Sequence, residues 1–257
     1  MKSLTLIEMI LAFLVVVIVS YLIGCINFAI IISKAKSKGK GDIRSIGSGN
    51  PGMLNMSRAY GIGVGILILF LDICKGLVPC LVCRLVFKNF NYLNMNLEVT
   101  ALYLAGLGAV CGHIFPFWLK FKGGKGISTT IGVFLASQPL PTLLFGISAI
   151  VFILLTRMGS MGSFIATTPS AIVSCWFFYR ENHIYFAQCL SLKILFLLTS
   201  LCVLIIILIT WWAHRKNIQR LLVGEEHPTN WLQMIKNLSF KSKVKKHKQK
   251  NSASLSE

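Results

Sequence analysis

The sequence predicts an all-α integral membrane protein: a polytopic bundle of about seven transmembrane helices, with the N-terminus outside and the C-terminus cytoplasmic. Three observations predict it. The 257-residue chain is 55% hydrophobic and only 13% charged, with a mean hydropathy of +0.72, far too little charge for a soluble domain of this size. Several apolar runs exceed the length of a buried core helix. Most of the lysines and arginines behind the formal charge of +18 lie between those runs and in the tail, as expected of loops held on the cytoplasmic side. No basic surface interleaved with aromatics is present, which argues against nucleic acid as a partner.

The first span covers Ile7 to Ile32. No cationic leader or small-residue cleavage site precedes the polar loop, so it reads as an uncleaved helix. Gly24, Cys25 and Asn27 near its end suit close helix packing, or place Asn27 at a cavity. A polar segment from Gly41 to Arg58 follows. Its glycines and Pro51 oppose regular helix and allow turns whose backbone N–H groups form an anion-holding nest. Arg44 and Arg58 add planar cationic forks suited to phosphate.

The second span runs from about Gly61 to Phe87. Asp72 and Lys75 lie inside it, either as a structural ion pair or as part of a site. Lys88 to Glu98 is a short polar gap. The third span, about Thr100 to Phe115, should end before Pro116. His113 is a helix-end cap or a site residue. A second cationic loop then carries Lys120, Lys122, Gly123, Gly124, Lys125 and Gly126.

Ile127 to Ala136 is too short to span 30 Å of hydrocarbon by itself. Pro139 and Pro141 separate it from Thr142 to Thr156. Arg157 to Gly162 reads as a tight turn, and Ser163 to Tyr179 and Leu190 to Trp212 as further spans. Both glycine-rich loops and the basic tail belong on one side, so the number of crossings between them must be even. Splitting Ile127–Thr156 at the prolines satisfies that count and gives seven segments, the fourth short. Residues 1–226 form the membrane-embedded domain. Residues 227–257 read as a basic, solvated, disordered tail, with attraction to anionic headgroups as the alternative.

The cysteines mostly sit in apolar runs and read as small buried hydrophobes. Cys80 and Cys83 have redox or metal spacing but no second pair or nearby His. No metal site and no cofactor is expected. Gly124-Lys125 does not belong to a Walker A loop, and no His has Asp five residues on, which excludes the His-x4-Asp lipid acyltransferases.

Four motifs in order carry a resemblance. They are Gly47-Ser48-Gly49-Asn50-Pro51-Gly52-x-x-Asn55; Asp72-x-x-Lys75-Gly76; Gly112-His113-x-Phe115-Pro116 with Phe121-Lys122-Gly123-Gly124-Lys125-Gly126; and Asn217-Ile218-x-Arg220-Leu221-x-x-Gly224-x-Glu226. Together they resemble the signatures of the bacterial acyl-phosphate:glycerol-3-phosphate acyltransferases, the PlsY type, over about Tyr21 to Glu226. Met53-Leu54 stands where Ala-Thr is common in that family, and Cys25 where Ser is frequent.

The resemblance implies a multi-pass enzyme of the bacterial cell membrane with its active site facing the cytoplasm. It would join an acyl group from acyl phosphate to glycerol 3-phosphate, giving 1-acyl-glycerol 3-phosphate and phosphate. Membrane lipid and the enzyme supplying acyl phosphate are further candidate partners. Ser48, Arg58 and a lysine of the second loop would hold glycerol 3-phosphate. Asn50, Lys125 and the amides around Gly49–Gly52 would take the acyl-phosphate headgroup. Asn55, Lys122, Gly123, Gly124 and Glu226 would complete the binding groups. His214 and Asn217 would lie at the reacting hydroxyl, with Lys125 as the catalytic cation. Asp72, Lys75, His113 and Arg220 would support them. Acyl phosphate is already activated, so no covalent nucleophile is needed. The base is either His214 or a substrate phosphate oxygen, with His214 then orienting. A carrier for an organophosphate and a lipid-gripping subunit are the alternatives.

Overall fold

The computed structural model describes residues 2–39, 41–186 and 189–225. The expected Glu226 and the tail from 227 lie outside the described residues. The fold is helical: α1 (Leu6–Gly24), α2 (Phe28–Lys36), α3 (Met53–Tyr60), α4 (Ile62–Phe87), α5 (Glu98–Ile114), α6 (Ile127–Ser137), α7 (Pro139–Thr156), α8 (Gly159–Phe186), α9 (Leu190–Ala213) and α10 (Arg215–Leu222). Counting α1 and α2 together, six stretches among the described residues are long and apolar enough to cross a membrane, and α6 is a shorter apolar helix.

Four expectations are corrected. The first span breaks at Cys25–Asn27, because the Asn27 side chain accepts the Ile30 amide at 3.1 Å and starts α2 afresh. Asn27 is therefore buried as a cap. The first polar segment is not wholly irregular: α3 begins once Gly52 is passed. The polar gap forms strands β2 (Phe90–Tyr92) and β3 (Met95–Asn96), turning at Leu93-Asn94 with positive φ at both. Strand β1 (Lys2–Ser3) pairs parallel to β2, giving the order β1-β2-β3. Finally, only Arg157 and Met158 separate α7 from α8, so Gly159, Ser160 and Gly162 belong to the first turns of α8.

Helix α5 is the hub. It is 67% buried over its apolar window, against 11% for α7, which faces outward. Small residues let its neighbours approach. A Cβ on Gly112 would meet the Tyr21 carbonyl, and one on Gly24 the Ala109 carbonyl, so α1 and α5 touch through backbone. Hydroxyl pairs tie α9 to the hub and to α6: Thr100 with Thr199 at 2.8 Å, and Thr130 with Thr210 at 3.2 Å.

Helices α4 and α6 cross equally closely and run the same way. Gly76 faces the Thr129 carbonyl, Gly132 faces the Ile73 carbonyl, and Arg84 donates to Ala136 O at 2.9 Å. Thus α6 starts roughly 15–20 Å along α4 from Ile62, at 1.5 Å rise per residue. The second loop must descend into the bundle to reach it. That descent puts Lys125 beside Asp72 in one cavity wall, well below the start of α4 and level with the ends of α5, α8 and α9.

This crossing generates a test. Gly132→Val would drive side-chain atoms into the α4 backbone, and a loss of about 3 kcal/mol or more is expected. The variant should melt well below wild type in detergent. An unchanged melting temperature would show that α4 and α6 do not meet there.

Candidate active site

The first loop is shaped by one side-chain amide. Asn55 Nδ2 donates to the carbonyls of Ile46 at 2.8 Å and Ile43 at 3.3 Å, and Asn55 Oδ1 accepts the Ser48 amide at 3.2 Å. Gly47 takes a left-handed φ of 58°, and a Cβ there would meet Asn55 Oδ1. Asn55, expected among the binding groups, is 2% exposed and committed to folding the loop. Arg44 is not a free fork either. It pairs with Asp42 at 2.7 Å, and its hydrogen bonds hold the Asp42 carboxyl below the usual carboxylate range. Arg58 is exposed at the cavity edge, and among the described residues it makes no ion pair.

The second loop folds back on the end of α5. Pro116 O accepts the amides of Leu119 and Phe121, both at 3.1 Å, and Ile114 O accepts that of Gly123 at 3.0 Å. Gly126, with φ of 84°, caps α6. Lys125 between them is brought against the C-terminal helix.

The meeting point is Asn217. Its Oδ1 accepts from Lys125 Nζ at 2.6 Å and from Arg220 Nη2 at 2.9 Å, while its Nδ2 donates to Ser160 Oγ at 2.7 Å. Three segments distant in sequence, the second loop, the start of α8 and α10, thus share one amide. Sequence reasoning missed Ser160, hidden inside what read as a turn. Its signal was the small Gly159-Ser160-x-Gly162 cluster directly after a span.

Two chambers open on either side of this knot. The outer one, about 710 Å³, adds Lys122, Gly123, Gly124, Arg215 and Lys216. The inner one, about 230 Å³, adds Gly52, Asn55, Asp72, His113, Ser160 and His214. They share a wall of Ser48, Asn50, Arg58, Lys125, Asn217 and Arg220. Gly49 instead faces a neighbouring cleft beside Arg44 and Lys122. Lys75 lies behind the inner chamber, bridging Asp72 Oδ1 at 3.0 Å and the Ile26 carbonyl at 2.9 Å. It therefore caps the broken first span and balances Asp72, which supports the structural alternative for the pair. Among the described residues, no three His, Cys, Asp or Glu side chains gather as metal ligands.

His214 is 3% exposed and its Nδ1–H donates to Thr210 O at 3.0 Å, since a carbonyl can only accept. Burial, reinforced by the Lys125 charge and opposed by the Thr210 bond, pushes its pKa down to about 4. The ring is neutral near pH 7, with Nε2 bare as an acceptor.

A family profile described as glycerol-3-phosphate acyltransferase matches residues 14–224. A glycerol-3-phosphate acyltransferase of Halalkalibacterium halodurans is 38% identical over 215 residues, covering 82% of this chain and 92% of that protein. One of Aquifex aeolicus is 36% identical over 214 residues, covering 83% and 97%. Crystal structures of PlsY (YgiH), an integral membrane glycerol 3-phosphate acyltransferase, superpose on this fold. The glycerol 3-phosphate form has a TM-score of 0.67 at 31% identity, and the lysophosphatidic acid form 0.65 at 30%. Each covers 87% of this chain and 98% of its own.

Two outcomes follow from the geometry. Asn217→Ala leaves Lys125 and Arg220 without their common acceptor. Turnover should fall about 10²-fold, in line with losing one positioned polar group, with little change in melting temperature. The second concerns pH. An unfolded histidine binds a proton below about pH 6.5, whereas His214 in the fold does so only below about 4. Between those values unfolding takes up a proton, so this contribution to stability is full above pH 6.5 and is lost as pH falls toward 4. Melting curves across that window should be flatter for His214→Gln than for wild type.

Proposed function

The chain belongs to the glycerol-3-phosphate acyltransferase family, and from that premise we propose that its two chambers hold acyl phosphate and glycerol 3-phosphate side by side across the shared wall. The enzyme is an integral membrane acyltransferase that acylates glycerol 3-phosphate. In the proposed reaction a glycerol hydroxyl oxygen attacks the acyl carbon. The bond from that carbon to the phosphate oxygen breaks, and 1-acyl-glycerol 3-phosphate and inorganic phosphate leave.

One observation carries this reading: three cationic side chains, Arg58, Lys125 and Arg220, stand in a wall common to two cavities. Both substrates are phosphate monoanions or dianions, and one wall can draw both toward the same line. The chemistry then needs orientation and charge stabilisation more than a nucleophile. In our assignment, Ser48, Arg58 and Lys122 hold glycerol 3-phosphate from the outer chamber. Asn50, Lys125 and the loop amides near Gly52 hold the acyl phosphate, whose chain lies against Leu69 and Ile153 at the inner chamber.

The hydroxyl proton passes to a substrate phosphate oxygen. A His214 ring with a pKa near 4 is a weak base, while its bare Nε2 can still accept and orient that hydroxyl. Seven crossings, counting α6, put both loops and α10 on one face, which we assign to the cytoplasm of a bacterial cell membrane. A carrier would need polar groups deep in both halves of the bundle. Here Asp72 and Lys75 neutralise each other.

The test is reconstitution into liposomes with glycerol 3-phosphate and palmitoyl phosphate, measuring lysophosphatidate. Wild type should turn over with acyl phosphate and fail with acyl-CoA. Lys125→Ala should lose about 10²–10³-fold in kcat while melting normally. Equal rates with acyl-CoA would overturn the donor, and a Lys125→Ala enzyme of normal rate would overturn the assigned wall.

A further inference from the structure

We propose that His113 is a positioning residue for Lys125 and acts through the backbone of Gly124. This rests on Lys125 being a working cation of the site, as assigned above. His113 is the penultimate residue of the central helix α5 and is 5% exposed. Its carbonyl accepts the Gly124 amide at 3.1 Å, so the residue preceding Lys125 is bonded to His113 directly.

The ring adds a steric contact to that bond. A Cβ on Gly124 would fall on His113 Nε2 and within 3.0 Å of both adjacent ring carbons. The imidazole is therefore the surface on which Gly124 rests, and glycine is required there by close approach. On its other side, His113 Nδ1 lies 3.1 Å from Thr129 Oγ1 in the first turn of α6 and 3.8 Å from Asp72 Oδ1. The ring thus spans the loop on both flanks of Lys125: Gly124 before it, and the start of α6 after it.

Asp72 and Lys75 complete the mount. Lys75 is anchored to Ile26 O and to Asp72, which leaves the carboxylate fixed beside Nδ1. The Asn217 contact at 2.6 Å then fixes the lysine head at its far end. A mere packing residue at position 113 would fill space. This one specifies where the Cα of residue 124 can lie, and the Lys125 side chain starts one peptide farther on.

The geometry makes a reciprocal prediction. Gly124→Ala should lower kcat/KM about 100-fold, because the new methyl displaces the loop from the ring. His113→Ala should lower it about tenfold, because the loop loses its rest. Combined, the two changes compensate: the vacated ring volume accepts the methyl, and the double variant should be about tenfold more active than Gly124→Ala alone, a coupling of ordinary size for touching residues.

The second measurement separates positioning from stability. In a Lys125→Ala background, His113→Ala should cost less than about twofold in kcat/KM, since nothing remains to be positioned. A purely structural role would reduce activity equally in both backgrounds. All variants are assayed in liposomes with glycerol 3-phosphate and palmitoyl phosphate beside wild type. If wild type makes no lysophosphatidate, the functional assignment fails. If wild type is active but the double variant is no better than Gly124→Ala, or the His113→Ala penalty persists without Lys125, the positioning role is overturned. Should Gly124→Ala not fold, the His113/Lys125 pair decides alone.

Discussion

A neutral oxygen, Asn217 Oδ1, holds two cations at 2.6 and 2.9 Å, and the candidate site depends on that choice of acceptor. A carboxylate in its place would bind Lys125 and Arg220 more tightly. It would also cancel the positive field that a phosphate needs. The amide fixes both side chains by hydrogen bonds while adding no negative charge of its own. The donor-only cations fix which end of the amide faces them, and Ser160 accepts from the Nδ2 end turned away from them.

That arrangement must be delivered from segments far apart in the chain, and the helix lengths explain how. A full-length sixth helix would hold the second loop at the membrane surface. The 11-residue α6, locked by glycines halfway along α4, draws the loop inward until Lys125 stands at the level of Asp72. The expense of burying loop backbone is met by the end of α5, where the last carbonyls of the helix accept the Gly123 and Gly124 amides. The helix end and the buried part of the loop satisfy each other's backbone groups.

Much of this was legible in the sequence. Apolar run lengths located the spans, and the parity of basic loops required a break at Pro139 and Pro141, where α7 begins. The polar residues clustered in just the stretches that meet at the chambers. What sequence could not express was the destination of each side chain. Asn55 and Asn217 are the same residue type, yet one is committed to its own loop and the other bonds two residues from distant segments, Lys125 and Ser160, besides Arg220 of its own helix. Asp42 lies two residues before Arg44, and nothing in that spacing states that the pair will close on itself at 2.7 Å. Ser160 was invisible because an apolar helix was expected to begin after it. Its role depends on the pairing of α8 with α10, which no local pattern encodes.

The buried Asp72–Lys75 pair shows why depth alone does not indicate function. Ions at such depth are costly and persist where other bonds hold them. Lys75 has a reason to be charged that is independent of substrate: breaking the first span at Cys25–Asn27 strands the Ile26 carbonyl, and an ammonium 2.9 Å away satisfies it. Asp72 then balances the ammonium and is fixed by it. A transport pathway would require such a pair to separate and re-form as cargo passes. Here one partner is tied to the helix break and the other stands beside His113, so separating them would undo α2's start and loosen the second loop together. A pair bound into two structural joints is built to stay put, which suits the stationary site proposed above better than a transport path.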